Sequence, residues 1–199
     1  MSKLYFMRHG ETDWNADARL QGQRDIPLNA RGRAQGARCG EIMRDLLARE
    51  GRKPDEFAFI ASPLGRARDT MELMRRGIGL PPEGYALEPR LAELSFGAWE
   101  GFTYVDLRKL PGGGKTIAAR ERDKWNFVPP GGESYADLLV RVKDWQQSVT
   151  GDAIVVSHGG VLRTLFVLFG LLAPAVAPVH DIDQGVVYEL APGQMVKHA

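Results

Sequence analysis

The chain has 199 residues, of which 44% are hydrophobic, and a formal net charge of +1. That length suits one well-cored domain and is short for two, and the near-zero charge offers no global attraction for nucleic acid or an anionic membrane, so any preference for anions must be local. The lone Cys39 excludes an internal disulfide and fits a reducing, cytoplasmic compartment, and a strand starting near residue 3 leaves no room for a signal peptide.

Leu4-Tyr5-Phe6-Met7 is short, bulky and largely aromatic, which predicts a buried strand running into Arg8-His9-Gly10. Residues 30 to 50 predict a helix whose Cys39, Ile42, Met43, Leu46 and Leu47 form one apolar stripe. Cys39 on that stripe is core packing and not a reactive thiol. Phe57-Ala58-Phe59-Ile60-Ala61 predicts a second strand, and Ser62-Pro63-Leu64-Gly65-Arg66-Ala67 opens the next helix, which continues through Met71 and Met74. A short extended segment near Ala86-Leu87 leads towards Glu93. Residues 97 to 132 are rich in Gly, Pro, charge and aromatics without a sustained period, the natural composition of a lid.

Ser134 and Asp137 form an N-cap pattern ahead of Tyr135, Leu138, Leu139, Val142 and Trp145 at helical spacing. Ala153-Ile154-Val155-Val156 then predicts a strand running into Ser157-His158-Gly159-Gly160, with a helix over 161 to 172. The apolar stretch from Leu165 to Val179 is too short to span a membrane and carries Pro174 and Pro178, so it reads as a buried helix and a loop. Gly185 to Leu190 predicts a last strand at a sheet edge, and His198 a solvated tail residue. The alternation predicts a single domain over 1–199 with a lid at about 97–132. Its fold class is α/β, a three-layer α/β/α sandwich on a mainly parallel sheet with an antiparallel edge strand.

His9 and His158 share one setting, the end of an apolar strand followed by glycine. Open α/β sheets bind ligands at the carboxyl ends of their strands, so neighbouring strands would turn both imidazoles into one pocket. Arg8 and Arg66 also lie at strand ends, and each brings a permanent planar donor fork suited to phosphate. Two histidines and two arginines make a site for a dianion.

These residues resemble the histidine phosphatase superfamily, the phosphoglycerate mutase-like proteins. Arg8-His9-Gly10-Glu11-Thr12-Asp13-Trp14-Asn15 is similar to its signature. Gln21-Gly22, Asp25, Pro27-Leu28 and Gly32 extend the likeness, as do Ser62 to Ala67, Asp69-Thr70, Glu93 to Gly97, Trp99-Glu100-Gly101, Pro129 to Ser134 and Ser157 to Gly160, in family order. The resemblance implies a phosphomonoester hydrolase with His9 as nucleophile, Arg8, Arg66 and His158 holding the phosphate, and Glu93 as proton donor. It extends substrate or phosphate contact to Asn15, Gln21, Gly22 and Gly159. Some family members place the acid directly after the second histidine, where Gly159 stands here, which favours Glu93.

In chemical terms His9 attacks phosphorus through a neutral ring nitrogen, its other nitrogen pinned by a backbone carbonyl. Arg8, Arg66 and a protonated His158 stabilise the transferring group, helped by helix N-termini near residues 63 and 160. No metal or other cofactor is needed, and the expected partner is a small phosphomonoester, with a homodimer possible. Gly112-Gly113-Gly114-Lys115-Thr116 is no nucleotide-binding loop, because Lys109 stands where glycine is required and no strand precedes it. His180, Asp181 and Asp183 lack a further cysteine or histidine to complete a metal site. Arg120, Arg122 and Lys124 either reach a substrate or form the wet face of the lid. Trp99, Phe102, Trp125 and Phe127 are either an apolar wall around the leaving group or core.

Two alternatives stand beside the hydrolase. A phosphoglycerate mutase shares the first half-reaction, although dedicated mutases carry a longer insertion than the segment between Glu93 and His158 allows. A binding or scaffold protein without turnover would usually lack one of the five core residues, and all are present.

Overall fold

The computed structural model describes residues 3–199. Six strands form one sheet in the order β3-β2-β4-β1-β5-β6: β1 (Leu4–Arg8), β2 (Ala58–Ala61), β3 (Ala86–Leu87), β4 (Ala153–Ser157), β5 (Val187–Ala191) and β6 (Gln194–His198). β1 to β4 run parallel, and β5 and β6 are antiparallel additions. Helices cover both faces, as the alternating pattern predicts.

Period-two alternation divides the core. Leu4, Phe6 and Val155 face α6 (Tyr135–Ser148) and α7 (Gly159–Leu168), packing with Leu138, Trp145 and Leu162. Tyr5, Met7, Ile154 and Val156 face α2 (Ala30–Glu50) and α3 (Gly65–Gly77), packing with Met43, Met71 and Met74. Cys39 lies in this second core, and burial pushes its thiol up to about 12, so it is inert.

Four expectations need correcting. Residues 185 to 190 are not the edge: β5 sits between β1 and β6, and β6 is the edge strand. The two join through a turn in which Gly193 adopts φ +71°. β6 is largely exposed and its two apolar residues, Met195 and Val196, are adjacent, so it carries no alternation to betray it. His198 is accordingly not a free tail, since its Nε2 lies 2.9 Å from Glu189 Oε2 across the ladder. The helix expected at 161–172 starts earlier and ends sooner, with His158 as its N-cap. Segment 97–132 is not irregular: it holds α4 (Tyr104–Lys109) and α5 (Gly113–Arg122), packed around Trp99, Leu107 and Ile117. The glycine run before Lys115 is the start of α5, not a phosphate loop. No helix among the described residues is long and apolar enough to cross a membrane.

The α2–α3 contact depends on small residues. A Cβ on Gly40 would stand 2.7 Å from the Met74 carbonyl oxygen and 2.8 Å from Gly77 Cα. Gly40→Ala sets a helix-propensity gain of about 1 kcal/mol against backbone overlap that only a shift of the helices relieves. Sterics should win, lowering stability by about 1–3 kcal/mol in urea denaturation. A variant more stable than the parent would show that the helices separate freely.

Candidate active site

The parallel pairing of β1 with β4 sets Arg8 opposite Ser157. The ladder continues one step further, with His9 N–H donating to Ser157 O at 2.9 Å. Register therefore delivers His9 and His158 side by side, with ring centroids 5.1 Å apart. Both are buried.

The tautomer of His9 follows from its neighbours. Nδ1 lies 2.7 Å from Gly10 O, which can only accept, so Nδ1 carries the proton. Arg66 Nε–H lies 3.3 Å from Nε2, and a guanidinium can only donate, so Nε2 presents its lone pair. Burial, then the charges of Arg66 and Arg8, hold His9 well below the ordinary histidine range. The result is a neutral imidazole with an available nucleophilic nitrogen.

Arg66 does a second job. Its Nη1 donates to Arg24 O at 2.6 Å and its Nη2 to Gly22 O at 2.7 Å, fixing the 21–24 loop over the site. Arg8 donates through Nη1 to Ile182 O at 2.8 Å, and its Nε is buried without a partner among the described residues. Desolvation, then the charge of Arg163, pulls Arg8 below the usual arginine value.

Glu93 faces these cations from the loop after β3. Its Oε1 accepts from Leu94 N–H at 2.8 Å and Gly160 N–H at 3.1 Å. A Cβ on Gly160 would collide with that oxygen, which explains the glycine at this helix start. Arg141 holds the same segment, donating to the carbonyls of Arg90, Ala92 and Glu93 at 2.6, 2.7 and 3.1 Å.

One cavity of about 140 Å³ gathers Arg8, His9, Asn15, Gln21, Gly22, Arg66 and Glu93. His158 and Gly159 are not on its wall. His158 lies buried beneath it, and Gly159 backs Arg8 and Arg163. Burial, then Arg66, His9 and Arg8, push His158 well below the usual range, so the phosphate-free pocket opposes the protonation expected of it. The helix N-termini are occupied too, Gly160 by Glu93 and Gly65 by Asp25 Oδ2 at 2.9 Å.

The lid residues do not reach the cavity. Trp99 stacks on Phe127 and Trp125 on Tyr135, and Phe102 is exposed. Arg120 lies over the Tyr104 ring and pairs with Glu121, and Arg122 is exposed. Sequence reasoning missed Arg19, Leu20, Phe96, Tyr135 and Arg163 on the wall. The signal for Arg163 was a lone guanidinium three residues after Gly160 on an otherwise apolar helix. Gln184 was missed as well: its amide donates to His9 O at 2.9 Å and Asn15 Oδ1 at 3.3 Å. No group of three metal-ligating side chains forms among the described residues, and His180 packs its ring on Phe166.

The sheet order and the strand-end pocket are those of a phosphoglycerate mutase-like α/β protein. Residues 4–194 match the model of the histidine phosphatase superfamily (branch 1), and the chain belongs to that family. It is 30% identical over 175 residues to glucosyl-3-phosphoglycerate phosphatase of Mycolicibacterium vanbaalenii, covering 82% of this chain and 72% of the relative. It is 29% identical over 206 residues to a 2,3-bisphosphoglycerate-dependent phosphoglycerate mutase of Beijerinckia indica, covering 98% and 94%. The crystal structure of TTHB049 from Thermus thermophilus superposes with TM-score 0.72 at 31% identity, covering 99% of each chain.

Both site histidines have depressed values in the folded protein, so folding stability should depend on pH. Below about 6.5 the unfolded chain binds protons that the folded site refuses. Stability is therefore present above that pH and lost as pH falls, by up to roughly 1.4 kcal/mol per histidine per pH unit. Urea midpoints between pH 7.5 and 5.5 should fall for the parent and fall less for His158→Gln. A parent midpoint that holds or rises on acidification would contradict the neutral assignment.

Proposed function

We propose that this chain hydrolyses small phosphomonoesters through a phosphohistidine on His9 Nε2. The observation that carries the reading is the pair of hydrogen bonds that leaves Nε2 unprotonated, Gly10 O on one nitrogen and Arg66 Nε–H beside the other. The Nε2 lone pair attacks phosphorus, and the ester oxygen leaves with its bonding pair and takes a proton from the Glu93 carboxyl. Water then attacks the phosphohistidine and gives its proton to Glu93. The P–N pair returns to Nε2, and inorganic phosphate leaves. Arg8 and Arg66, with His158 from beneath, donate to the phosphoryl oxygens, Asn15, Gln21 and Gly22 complete the cradle, Gly159 backs Arg8, and no metal takes part. Segment 97–132 belongs to this single domain as a cap that does not line the cavity, and we assign the chain to the cytoplasm.

Four arginines and one carboxylate line the cavity. A phosphate dianion leaves positive charge over, so a substrate carrying a further anionic group fits best. The phosphoglycerate derivatives named for the relatives have that character, and the small volume favours a compact leaving group.

The mutase is the second reading. The mutase-named relative matches this chain over 94% of its own length, so overall chain length does not separate the two activities. Water access does, because an intermediate open to solvent is hydrolysed. Incubation with 3-phosphoglycerate in EDTA, with and without 2,3-bisphosphoglycerate, should release inorganic phosphate in both cases. It should also label His9 with acid-labile, base-stable phosphate that His9→Ala lacks. Interconversion of the 2- and 3-phosphates with little phosphate release would establish the mutase, and release without labelled His9 would overturn both.

Glu93→Gln should slow single-turnover phosphorylation by alkyl phosphates about 10²-fold or more, and by aryl phosphates far less, because good leaving groups need little protonation. Equal slowing of both would assign the proton donor elsewhere.

A further inference from the structure

Ser62 closes the junction between β2 and α3 and is fully buried. Its Oγ lies 2.7 Å from His158 Nε2. The same oxygen accepts the Leu64 N–H at 3.4 Å. The other ring nitrogen of His158, Nδ1, is buried and has no partner among the described residues.

Two tautomers of a neutral His158 can be weighed. With the proton on Nε2, the ring donates to Ser62. The serine hydroxyl proton then lacks an acceptor among the hydrogen bonds of the described residues, and Nδ1 remains a bare lone pair. With the proton on Nδ1, Ser62 O–H donates to Nε2 while its oxygen accepts from Leu64. Every group at the Ser62 end is then satisfied, and the only unmet requirement is an acceptor for Nδ1–H. The two ring nitrogens flank Cε1 and direct their bonds apart, so Nδ1–H points away from Ser62.

We infer that Ser62 is a positioning residue whose hydroxyl holds His158 as the neutral Nδ1–H tautomer, ready to donate to a phosphoryl oxygen. The inference rests on the phosphohistidine reading above and gives His158 a defined form within it. Burial and the charged or titratable groups around the ring, Arg66, His9, Arg8 and Arg141, oppose a second proton. The second histidine thus acts as an oriented dipole. A serine suits the task because one hydroxyl can donate to the ring and accept from the backbone at once.

The test is ¹⁵N NMR of histidine-labelled protein at pH 7, with kinetics on an aryl phosphate. The wild type should show His158 with a protonated Nδ1 and a bare Nε2. Ser62→Ala should shift both nitrogens towards tautomer averaging, lower kcat/KM about tenfold, the scale of one hydrogen bond, and move the pH profile. Ser62→Thr, which keeps the hydroxyl, should restore the wild-type shifts. A wild-type spectrum with Nε2 protonated, or with an imidazolium, overturns the inference even where the alanine variant fails to fold. Unchanged shifts and kinetics in a folded Ser62→Ala overturn it as well. Absence of phosphate on wild-type His9 is the separate failure of the parent reading.

Discussion

Everything at this site depends on one contact, the Arg66 guanidinium donating to His9 Nε2. An arginine has no lone pair to give, so the contact exists only while Nε2 is unprotonated. Gly10 O takes the Nδ1 proton from the other side. The two partners act together: one holds the proton on Nδ1 and the other guards the lone pair on Nε2. The β1–β4 register puts His9 where Arg66, on the first turn of α3, can reach it. Arg66 also anchors the 21–24 loop, so the residue that keeps the nucleophile free shapes the entrance above it.

Cations gathered in a buried space raise its free energy unless an anion joins them. Arg8 illustrates the strain: it is desolvated, it faces Arg163, and one of its nitrogens has no partner among the described residues. The nearby Glu93 carboxylate is itself tied to Gly160 and Leu94. The free site therefore favours an incoming dianion before any chemistry occurs, and its histidines remain neutral because adding protons would worsen the imbalance. Arg141 lies behind this arrangement, holding the carbonyls of Arg90, Ala92 and Glu93 while Glu133 pairs with its guanidinium.

The sequence made legible whatever local pattern controls. Buried strands such as β1 and β4 are unbroken apolar runs, and α2 and α6 carry their stripes and caps, so the mainly parallel sheet and the meeting of His9 with His158 could be read directly. Short elements stabilised by caps were not read: Thr12 with Asn15 and Thr103 with Asp106 each start a helix of six residues or fewer, too short for a period to show. β6 pairs on one side only and is largely exposed on both faces, so its residues show no alternation. The choice between wall and core for Trp99, Phe127 and Trp125 was fixed by which ring each stacks on, a tertiary fact. The protonation expected of His158 meets a constraint of the same tertiary kind. A histidine near phosphate reads as a cation until burial beside two arginines is known.

The most direct measurement is the ¹⁵N spectrum of His9 itself, followed from pH 8 to pH 5 in the free protein. A neutral ring with Nδ1 protonated and Nε2 bare throughout is the predicted result. A His9 that carries its proton on Nε2, or that titrates to imidazolium near pH 6.5 like an exposed histidine, would contradict the account at its centre.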